Sequence, residues 1–419
     1  MDKQVIKDLI TENQDFVENV SVLPRNLNLE PNGNYVFVGL RRAGKTYLLY
    51  RQIHNLLNTG VLAKQILYVN FEDERLSEIS LADLSVILNC YREMYDYQPI
   101  IFLDEIQLIK GWEKFVRRLV DTKYRVYVTG SNAQMLSSEI ATTLGGRFLI
   151  ETVYPYSFRE FLMAQGVEIQ KNMEFGNMRI RLKKLFATYF YYGGLPELLR
   201  FEDKRQWLNS LYQKIFFGDL IARYEIRNTF ALKIIVKKLA ESVMSPISYS
   251  RLTNIVISAD IKIGKSTVIE YIEHLKETWL IFSVSNYTGK FVEKETNRKF
   301  YFSDNGILNL FLFNPETALL ENLVAIALKR IYEDELYFYN HNIEVDFYIP
   351  VKKWAIQVAY NLSDPDTLKR ETTALLKISR FLPADSLTII TYDEEQTLEI
   401  EDKLIEVIPV WKWLMSFTT

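Results

Sequence analysis

Five short apolar runs recur in the first 160 residues, separated by segments with apolar positions every three or four residues. Each run is continuous rather than alternating, which is typical of strands buried on both faces of a parallel sheet. The segments between them, such as 46–57 and 112–120, have the spacing of crossover helices. The pattern predicts an α/β fold with a doubly wound parallel sheet, with strands at 35–39, 66–70, 100–104, 125–130 and 148–153.

The pattern changes after about residue 160, where helical spacing and aromatic residues dominate. A turn composition, "GGLPE" at 193–197, interrupts the first helical stretch. Three helical patterns followed by a hairpin then predict a winged helix. The last part of the chain has the pattern of a helix, three strands, a second helix and a final strand. We expect a sheet domain, a helical lid or linker, a winged-helix domain and a small α/β module, with bounds 1–160, 161–227, 228–313 and 314–419.

Composition narrows the class of protein. The 419 residues are 48% apolar, which supports packed cores and excludes a disordered chain. Fifty basic and 53 acidic residues give a formal net charge of −3, so no overall basic excess favours nucleic acid. The single cysteine, Cys90, suits a reducing cytoplasm, and a zinc site is not expected. The early acids of "MDKQVIKDLITENQD" are unlike a signal peptide, and no apolar run is long enough for a membrane span, so a cytoplasmic protein without membrane contact is expected.

The segment "GLRRAGKT" follows the first predicted strand and opens a helix, and its glycines, lysine and threonine fit the phosphate-loop pattern G-x-x-x-x-G-K-[ST]. The glycines let the backbone wrap phosphates, and the N–H groups at the helix start face anionic oxygens. Lys45 is expected to neutralise the terminal phosphates, and the Thr46 hydroxyl to bind Mg²⁺. The predicted nucleotide-binding residues are Gly39, Leu40, Arg41, Arg42, Ala43, Gly44, Lys45, Thr46 and Tyr47.

The run "IIFLDEIQ" supplies two acids at the end of the third predicted strand. A phosphate loop needs a carboxylate from a neighbouring strand, and Asp104 is predicted to bind Mg²⁺, usually through water. Glu105 is predicted to polarise the attacking water. A strand at 66–70 intervenes along the chain, which fits the branch of P-loop ATPases that combines an inserted strand with a catalytic glutamate.

Five further residues, in three segments of the chain, have more than one interpretation. Ser131 and Asn132 follow the fourth strand and either orient water near the γ-phosphate or cap the next helix. Arg147 precedes the fifth strand, and either stabilises transition-state charge, on its own or on a neighbouring subunit's nucleotide, or forms an ordinary surface ion pair. Action on a neighbour implies a homo-oligomer. Arg41 and Arg42 face phosphate, a partner subunit or solvent.

Together, "GLRRAGKT", "LDEIQ", "TGSNA", "GR" and "YPYSFREFL" resemble the AAA-family ATPases of bacteria and archaea, in which a P-loop core precedes a C-terminal domain of unknown function. The resemblance extends over essentially the whole chain through "GGLPE", "SDNGI", "ENLV" and "EVDFYI". It implies the strand order of the sheet and ATP as the nucleotide. Related signal-transduction ATPases place a Gly-x-Pro turn against the adenine base, which makes Pro196 a candidate base contact. The same residues also suit a helix-breaking turn.

The helix predicted before the hairpin presents Glu270, Glu273 and Glu277 opposite its apolar face. Entering a DNA groove would bring these carboxylates beside phosphates, which is unfavourable. Packing or protein contact is therefore favoured over DNA recognition for this helix.

The last module resembles a restriction-endonuclease-like fold, whose active site combines carboxylates that bind Mg²⁺ with a lysine. Glu321 and Asp346 match the carboxylate positions. Gln357 and Ala359 stand where a glutamate and a lysine are expected, so a retained fold used for binding is favoured over a nuclease.

The combined expectation is Mg²⁺-dependent binding and hydrolysis of ATP that drives or gates rearrangement of the C-terminal domains. One alternative is a DNA-processing nuclease coupled to an ATPase. Another is a signalling or scaffold protein that holds ATP or ADP with little turnover. A protein partner is expected, and the sequence does not identify it.

Overall fold

The structure, a computed structural model, describes residues 2–23, 25, 29–132, 142–170, 173, 175–290 and 296–417. The chain divides into two units. The N-terminal unit is Met1–Tyr154 with Glu277–Trp279, and the C-terminal unit is Pro155–Lys276 with Leu280–Thr419. Among the described residues, no helix combines the length and apolar character that crossing a lipid bilayer requires.

A five-stranded parallel sheet forms the centre of the N-terminal unit, with the order β2-β3-β4-β1-β5. All five predicted strands are present, and the predicted fold class is confirmed. The bounds are β1 Tyr35–Val38, β2 Ile66–Asn70, β3 Ile100–Asp104, β4 Val126–Gly130 and β5 Leu149–Thr152, with helices α1 Lys3–Asn19, α2 Lys45–Asn58, α3 Leu84–Met94 and α4 Trp112–Asp121.

The register of this sheet brings three strand ends together. Every residue of β1 and of β4 is buried, as the continuous apolar runs predict. Val38 at the end of β1 pairs with Gly130 at the end of β4, and Leu103 near the end of β3 pairs with Val128. Because the strands are parallel, the segments that follow β1, β3 and β4 all leave the same edge of the sheet, which positions the site.

A nine-stranded mixed sheet runs through the C-terminal unit, with the order β13-β14-β12-β11-β10-β9-β7-β8-β6. Its strands are β6 Ile247–Ser248, β7 Ile281–Asn286, β8 Asn297–Phe302, β9 Tyr337–Asn340, β10 Glu344–Ile349, β11 Trp354–Val358, β12 Ser386–Thr391, β13 Gln396–Ile400 and β14 Lys403–Pro409. The remaining α-helices are Phe158–Ala164, Gly176–Tyr192, Lys204–Lys214, Thr229–Glu241, Tyr249–Ile257, Lys265–Glu277, Asn305–Asn309, Glu316–Tyr332, Pro365–Phe381 and Val410–Ser416, and Ile215–Ala222 is a π-helix.

The hairpin β7–β8 and the strands of the tail belong to one sheet. β7 pairs in parallel with β9, where Ser285 lies opposite Tyr337. The order helix, strand, two helices and hairpin over 229–302 is that of a winged helix, and this assignment stays a prediction. The predicted domain bounds at 160, 227 and 313 also stay predictions. The bound at 313 separates the hairpin β7–β8 from the strands of the tail, which belong to one continuous sheet.

The motifs "GGLPE" and "SDNGI" contact each other inside the C-terminal unit. The buried Asp304 carboxylate accepts hydrogen bonds from the N–H of Gly194 at 2.9 Å and of Gly306 at 2.8 Å. Burial raises the pKa of Asp304 to about 6, and these N–H groups oppose the shift. Gly193 has a φ of 80°, and a Cβ there would lie 2.2 Å from the Asp304 carboxylate. The two motifs therefore hold this part of the fold together.

Candidate nucleotide-binding site

The loop between β1 and α2 bends through three residues with positive φ. Gly39 has a φ of 145°, Arg42 of 66° and Gly44 of 99°. A Cβ at Gly39 would lie 2.3 Å from the carbonyl oxygen of Val153, so only glycine fits there. Alternation of right- and left-handed residues turns successive N–H groups toward the concave side of a loop, where anions bind. The backbone thus has the conformation that the sequence motif predicts.

Lys45, the first residue of α2, lies within this loop and is only 4% exposed. Its Nζ donates to the carbonyl oxygens of Gly39 at 3.1 Å and Leu40 at 3.2 Å. The same atom lies 3.8 Å from a carboxylate oxygen of Glu105. The ammonium is therefore held between the loop and Glu105, which follows β3, where it can neutralise a bound phosphate.

Asp104 lies at the end of β3 and is 1% exposed. Its carboxylate accepts hydrogen bonds from the hydroxyls of Thr129, Thr46 and Tyr68, the last at 3.0 Å. Burial raises the pKa of Asp104 to about 6, the neighbouring Glu105 adds to the shift, and the three hydroxyls oppose it. The structure thus brings the predicted Mg²⁺ ligands Thr46 and Asp104 into contact. A hydroxyl and a carboxylate are oxygen donors of the kind that Mg²⁺ prefers, so the residues present fit the ion.

Glu105 follows β3 in a left-handed conformation, with a φ of 54°. Its carboxylate accepts hydrogen bonds from the Gln107 amide and the Ser131 hydroxyl. Burial alone would raise the pKa of Glu105, but the Lys45 ammonium and these two donors leave it below the ordinary value. The carboxylate is therefore ionised at neutral pH, which is the state that a water-orienting base requires.

Ser131 and Asn132 come directly after β4 and are both buried. The structure places Ser131 against Glu105. Asn132 is the last described residue before the segment 133–141, and its role near the γ-phosphate stays a prediction.

Arg147 lies at the edge of the sheet where the strands begin, opposite the edge that carries the phosphate loop. Its guanidinium forms an ion pair with Asp121 at 2.6 Å, and its carbonyl oxygen accepts a hydrogen bond from Asn34, the residue before β1. Gly39 follows the opposite end of β1, and four strand residues span about 13 Å. A direct contact with the phosphate loop of its own chain is therefore incompatible with this position. Two interpretations of Arg147 remain: it acts on the nucleotide of a neighbouring subunit, or it forms a structural ion pair.

The other predicted binding residues differ in exposure. Leu40 and Ala43 are buried, so only their backbone can face a nucleotide. Arg41 forms an ion pair with Glu72 at 3.2 Å, Arg42 is exposed, and the Tyr47 side chain is 42% exposed. Contact of these three side chains with phosphate stays a prediction.

Pro196 lies in the C-terminal unit, where it begins the short helical turn Pro196–Arg200. The turn that the composition "GGLPE" predicts is therefore present. Contact of Pro196 with the adenine base stays a prediction.

Three residues at this site were not identified from the sequence. Arg25 is buried, and its guanidinium donates to the carbonyl oxygens of Ala43 at 3.0 Å and Tyr154 at 2.7 Å, so it supports the loop. Tyr68 on β2 and Thr129 on β4 donate to Asp104. A polar residue within an otherwise apolar strand, as at Thr129, is a signal that could have been used. No motif marks Arg25.

Two family models match the chain. The model described as an AAA domain matches residues 32–162, which contain the phosphate loop and both acids. The model described as a domain of unknown function (DUF8612) matches residues 183–317.

The chain is also similar, over most or all of its length, to proteins of known sequence. It is 32% identical to the uncharacterized protein MJ1544 of Methanocaldococcus jannaschii over 434 residues, covering 100% of this chain and 97% of that protein. It is 29% identical to an uncharacterized protein of Haemophilus influenzae, covering 91% of this chain and 94% of that protein. Among solved structures, the Walker-type ATPase PABY2304 of Pyrococcus abyssi is 13% identical with a TM-score of 0.41, covering 74% of this chain and 95% of that one.

Proposed function

Because the chain belongs to the AAA family of P-loop ATPases, we propose that it binds ATP with Mg²⁺ and hydrolyses it at the edge where β1, β3 and β4 end. The observation that carries this proposal is the convergence of two pairs. Lys45 lies beside Glu105, and Thr46 contacts Asp104. A cation that can bind phosphate (Lys45), two oxygen donors suited to a metal ion (Thr46 and Asp104) and an ionised acid (Glu105) thus lie together in one buried site.

Each residue has a distinct part in this proposal. The loop amides and Lys45 bind the β- and γ-phosphates, and Thr46 and Asp104 hold Mg²⁺, which supplies neutralisation of phosphate charge when bound. Glu105 orients the attacking water and accepts its proton. Ser131 and Gln107 keep the Glu105 carboxylate in place. Arg25 fixes the loop carbonyl of Ala43.

We further propose that hydrolysis acts on the C-terminal unit as one body. The pairing of β7 with β9 makes the hairpin and the tail parts of a single sheet, which supports a joint response rather than separate movements of each segment. A protein partner that binds this unit is part of the proposal.

A homo-oligomer is the remaining part of the proposal. Arg147 lies too far from its own loop to contact phosphate, but a partly exposed position next to β5 suits an arginine that completes the site of a neighbouring copy. Such an arginine stabilises the charge that develops during transfer of the γ-phosphate.

The assignment is tested by comparing wild type with Lys45→Ala, using calorimetric ATP titration and steady-state phosphate release with Mg²⁺ or EDTA. We expect Lys45→Ala to lose ATP binding, and Lys114→Ala, at an exposed position on α4, to behave as wild type. Unchanged ATP affinity in Lys45→Ala contradicts a nucleotide site at this loop. Tight ATP binding by the wild type without phosphate release identifies a nucleotide-holding scaffold instead of an ATPase.

A further inference from the structure

A fully buried lysine lies in the C-terminal unit, far along the chain from the nucleotide loop. Lys299 on β8 has 0% of its side chain exposed, which is rare for lysine. Its Nζ lies 3.2 Å from one carboxylate oxygen of each of three acids, Glu321, Glu344 and Asp346. These three residues are called the acid cluster below. Glu321 lies on the helix Glu316–Tyr332 and the other two lie on β10, so three elements meet at one ammonium.

The hydrogen-bonding capacity of the lysine matches this arrangement. An ammonium group has three N–H donors, and that of Lys299 donates to Glu321 and Asp346 and forms an ion pair with Glu344. Burial alone would lower the pKa of Lys299, but the three carboxylates raise it above the ordinary value, so the group is charged. Burial raises the pKa of Glu321 to about 7, and Lys299 opposes this shift. The Tyr301 hydroxyl also donates to Glu321, at 2.8 Å.

The strand that would normally complete a metal site here carries no suitable group. The Gln357 side chain accepts from the N–H of Asp346 and donates to Glu371, both at 2.8 Å, so its amide is engaged in structural bonds. Ala359 is buried in the apolar core of the tail. Among the described residues, no set of three or more Asp, Glu, His or Cys side chains is arranged to hold a metal ion.

Access to the acid cluster is also restricted. The Glu321 side chain is 5% exposed and that of Asp346 is 15% exposed, whereas Glu344 at the rim is 45% exposed. A phosphodiester substrate would have to reach the two shielded acids and displace the ammonium that binds them. The position between the carboxylates is taken by a group of the chain itself.

We propose that Lys299 is the permanent cation of the acid cluster and that it takes the place of a divalent metal ion. Glu321 and Asp346, at which the sequence resemblance predicts a metal site, are neutralised by an internal ammonium. Because that ammonium comes from β8 of the hairpin, the ion cluster joins the hairpin to the helix Glu316–Tyr332 and to β10. The module serves as a binding and joining domain without phosphodiesterase activity.

The test compares thermal unfolding of full-length variants without nucleotide, in a Thr46→Ala background so that the nucleotide loop contributes no metal ligand. Lys299→Met keeps approximately the length of the side chain and removes its positive charge. We expect its Tm to fall by roughly 5 °C or more, because removing one partner of a buried ion pair leaves uncompensated charge. Millimolar Mn²⁺ should leave the Tm of the parent protein, which retains Lys299, unchanged, because the ammonium occupies the position between the carboxylates. Lys238→Met, which removes a surface ion pair with Glu241, is the matched control and should have little effect.

A second variant keeps the test decisive if Lys299→Met does not fold. The double variant Lys299→Met/Glu321→Gln removes one buried acid with the lysine and should be recovered as folded protein. The proposal is overturned if Lys299→Met is as stable as Lys238→Met, or if the double variant is no more stable than Lys299→Met. It is also overturned if the Lys299 parent binds Mn²⁺, or cleaves DNA or RNA with Mn²⁺, in a manner that Asp346→Asn abolishes.

Discussion

The Thr129 hydroxyl lies between Asp104, the last residue of β3, and Glu105, which follows it. It donates a hydrogen bond to the Asp104 carboxylate and accepts one from the N–H of Glu105 at 2.9 Å. Thr129 is itself fully buried on β4. One side chain on a neighbouring strand therefore orients the proposed metal ligand and fixes the backbone of the proposed base.

Thr129→Val keeps the shape of the side chain and removes both hydrogen bonds. A buried carboxylate that loses a donor, together with an unsatisfied N–H, costs about 1.5–3 kcal/mol, so we expect phosphate release to slow by roughly 10- to 100-fold. ATP affinity should change much less, because the loop amides and Lys45 are untouched. Steady-state kinetics and calorimetric titration measure the two effects separately.

The control for this prediction is Thr129→Ser, which retains the hydroxyl and should keep most of the activity. A Thr129→Val protein that hydrolyses ATP at the wild-type rate would show that the hydroxyl has no part in positioning the acids.

Glu105→Gln tests the proposed base. The amide keeps the size of the side chain but accepts no proton, so ATP should bind with near-normal affinity while turnover falls by about 10²–10⁴-fold. Glu78→Gln, at an exposed position of the same unit, should retain wild-type turnover. If Glu105→Gln turns over at the parental rate, the base lies elsewhere.

Arg25→Met tests whether the hydrogen bond from Arg25 to the loop carbonyl of Ala43 stabilises the phosphate loop. Arg25 links the carbonyl oxygens of Ala43 and Tyr154, so its loss should leave one buried and one partly buried acceptor without this donor and let the loop move. We expect ATP affinity to weaken by about 10-fold, corresponding to about 1.4 kcal/mol. Arg25→Lys should not rescue affinity, because an ammonium lacks the planar fork that reaches both oxygens.

Arg92→Met, which removes an exposed arginine bonded to Tyr124, is the control for Arg25→Met and should bind ATP normally. Wild-type affinity in the Arg25→Met protein would mean that the loop holds its shape unaided.

The sheet and the phosphate loop were predictable because their signals are local. Continuous apolar runs mark buried parallel strands, and the spacing of two glycines, a lysine and a threonine marks the loop. The same holds for the acids at 104 and 105, which directly follow an apolar strand. Each of these features depends on residues within a few positions of one another.

The contacts that the sequence did not predict join residues far apart along the chain. Thr129 on β4 reaches Asp104 on the neighbouring strand β3, 25 positions away, and Lys299 reaches Asp346 over 47 positions. A lysine was expected at position 359, directly after β11, but the lysine that reaches Asp346 comes from β8, and no motif on either strand indicates this contact. The sequence likewise placed Arg147 before the fifth strand but could not exclude its contact with the loop, because the distance depends on the register in which β5 pairs with β1.

Gly193→Ala tests the junction of the two C-terminal motifs. A Cβ at this position would lie 2.2 Å from Asp304 and the residue has a φ of 80°, so we expect a loss of about 3 kcal/mol in the free energy of unfolding. Gly218→Ala is the matched control, since its added Cβ would have no atom closer than Lys214 Cδ at 3.8 Å. Chemical denaturation measures both. Equal stability of the two variants would contradict the tight fit at Gly193.

Arg147 provides the test of a shared site. Because it lies at the amino end of β5, Arg147→Ala should bind ATP normally and lose most turnover, and Lys45→Ala should lose binding. Mixing the two inactive proteins should then restore phosphate release, since the Lys45→Ala copy donates its arginine to the intact loop of the other. Asp121→Ala, which removes the ion-pair partner of Arg147, should remain active. If Arg147→Ala loses turnover and mixing restores none, the arginine acts within its own chain or on the fold, and the shared site is excluded.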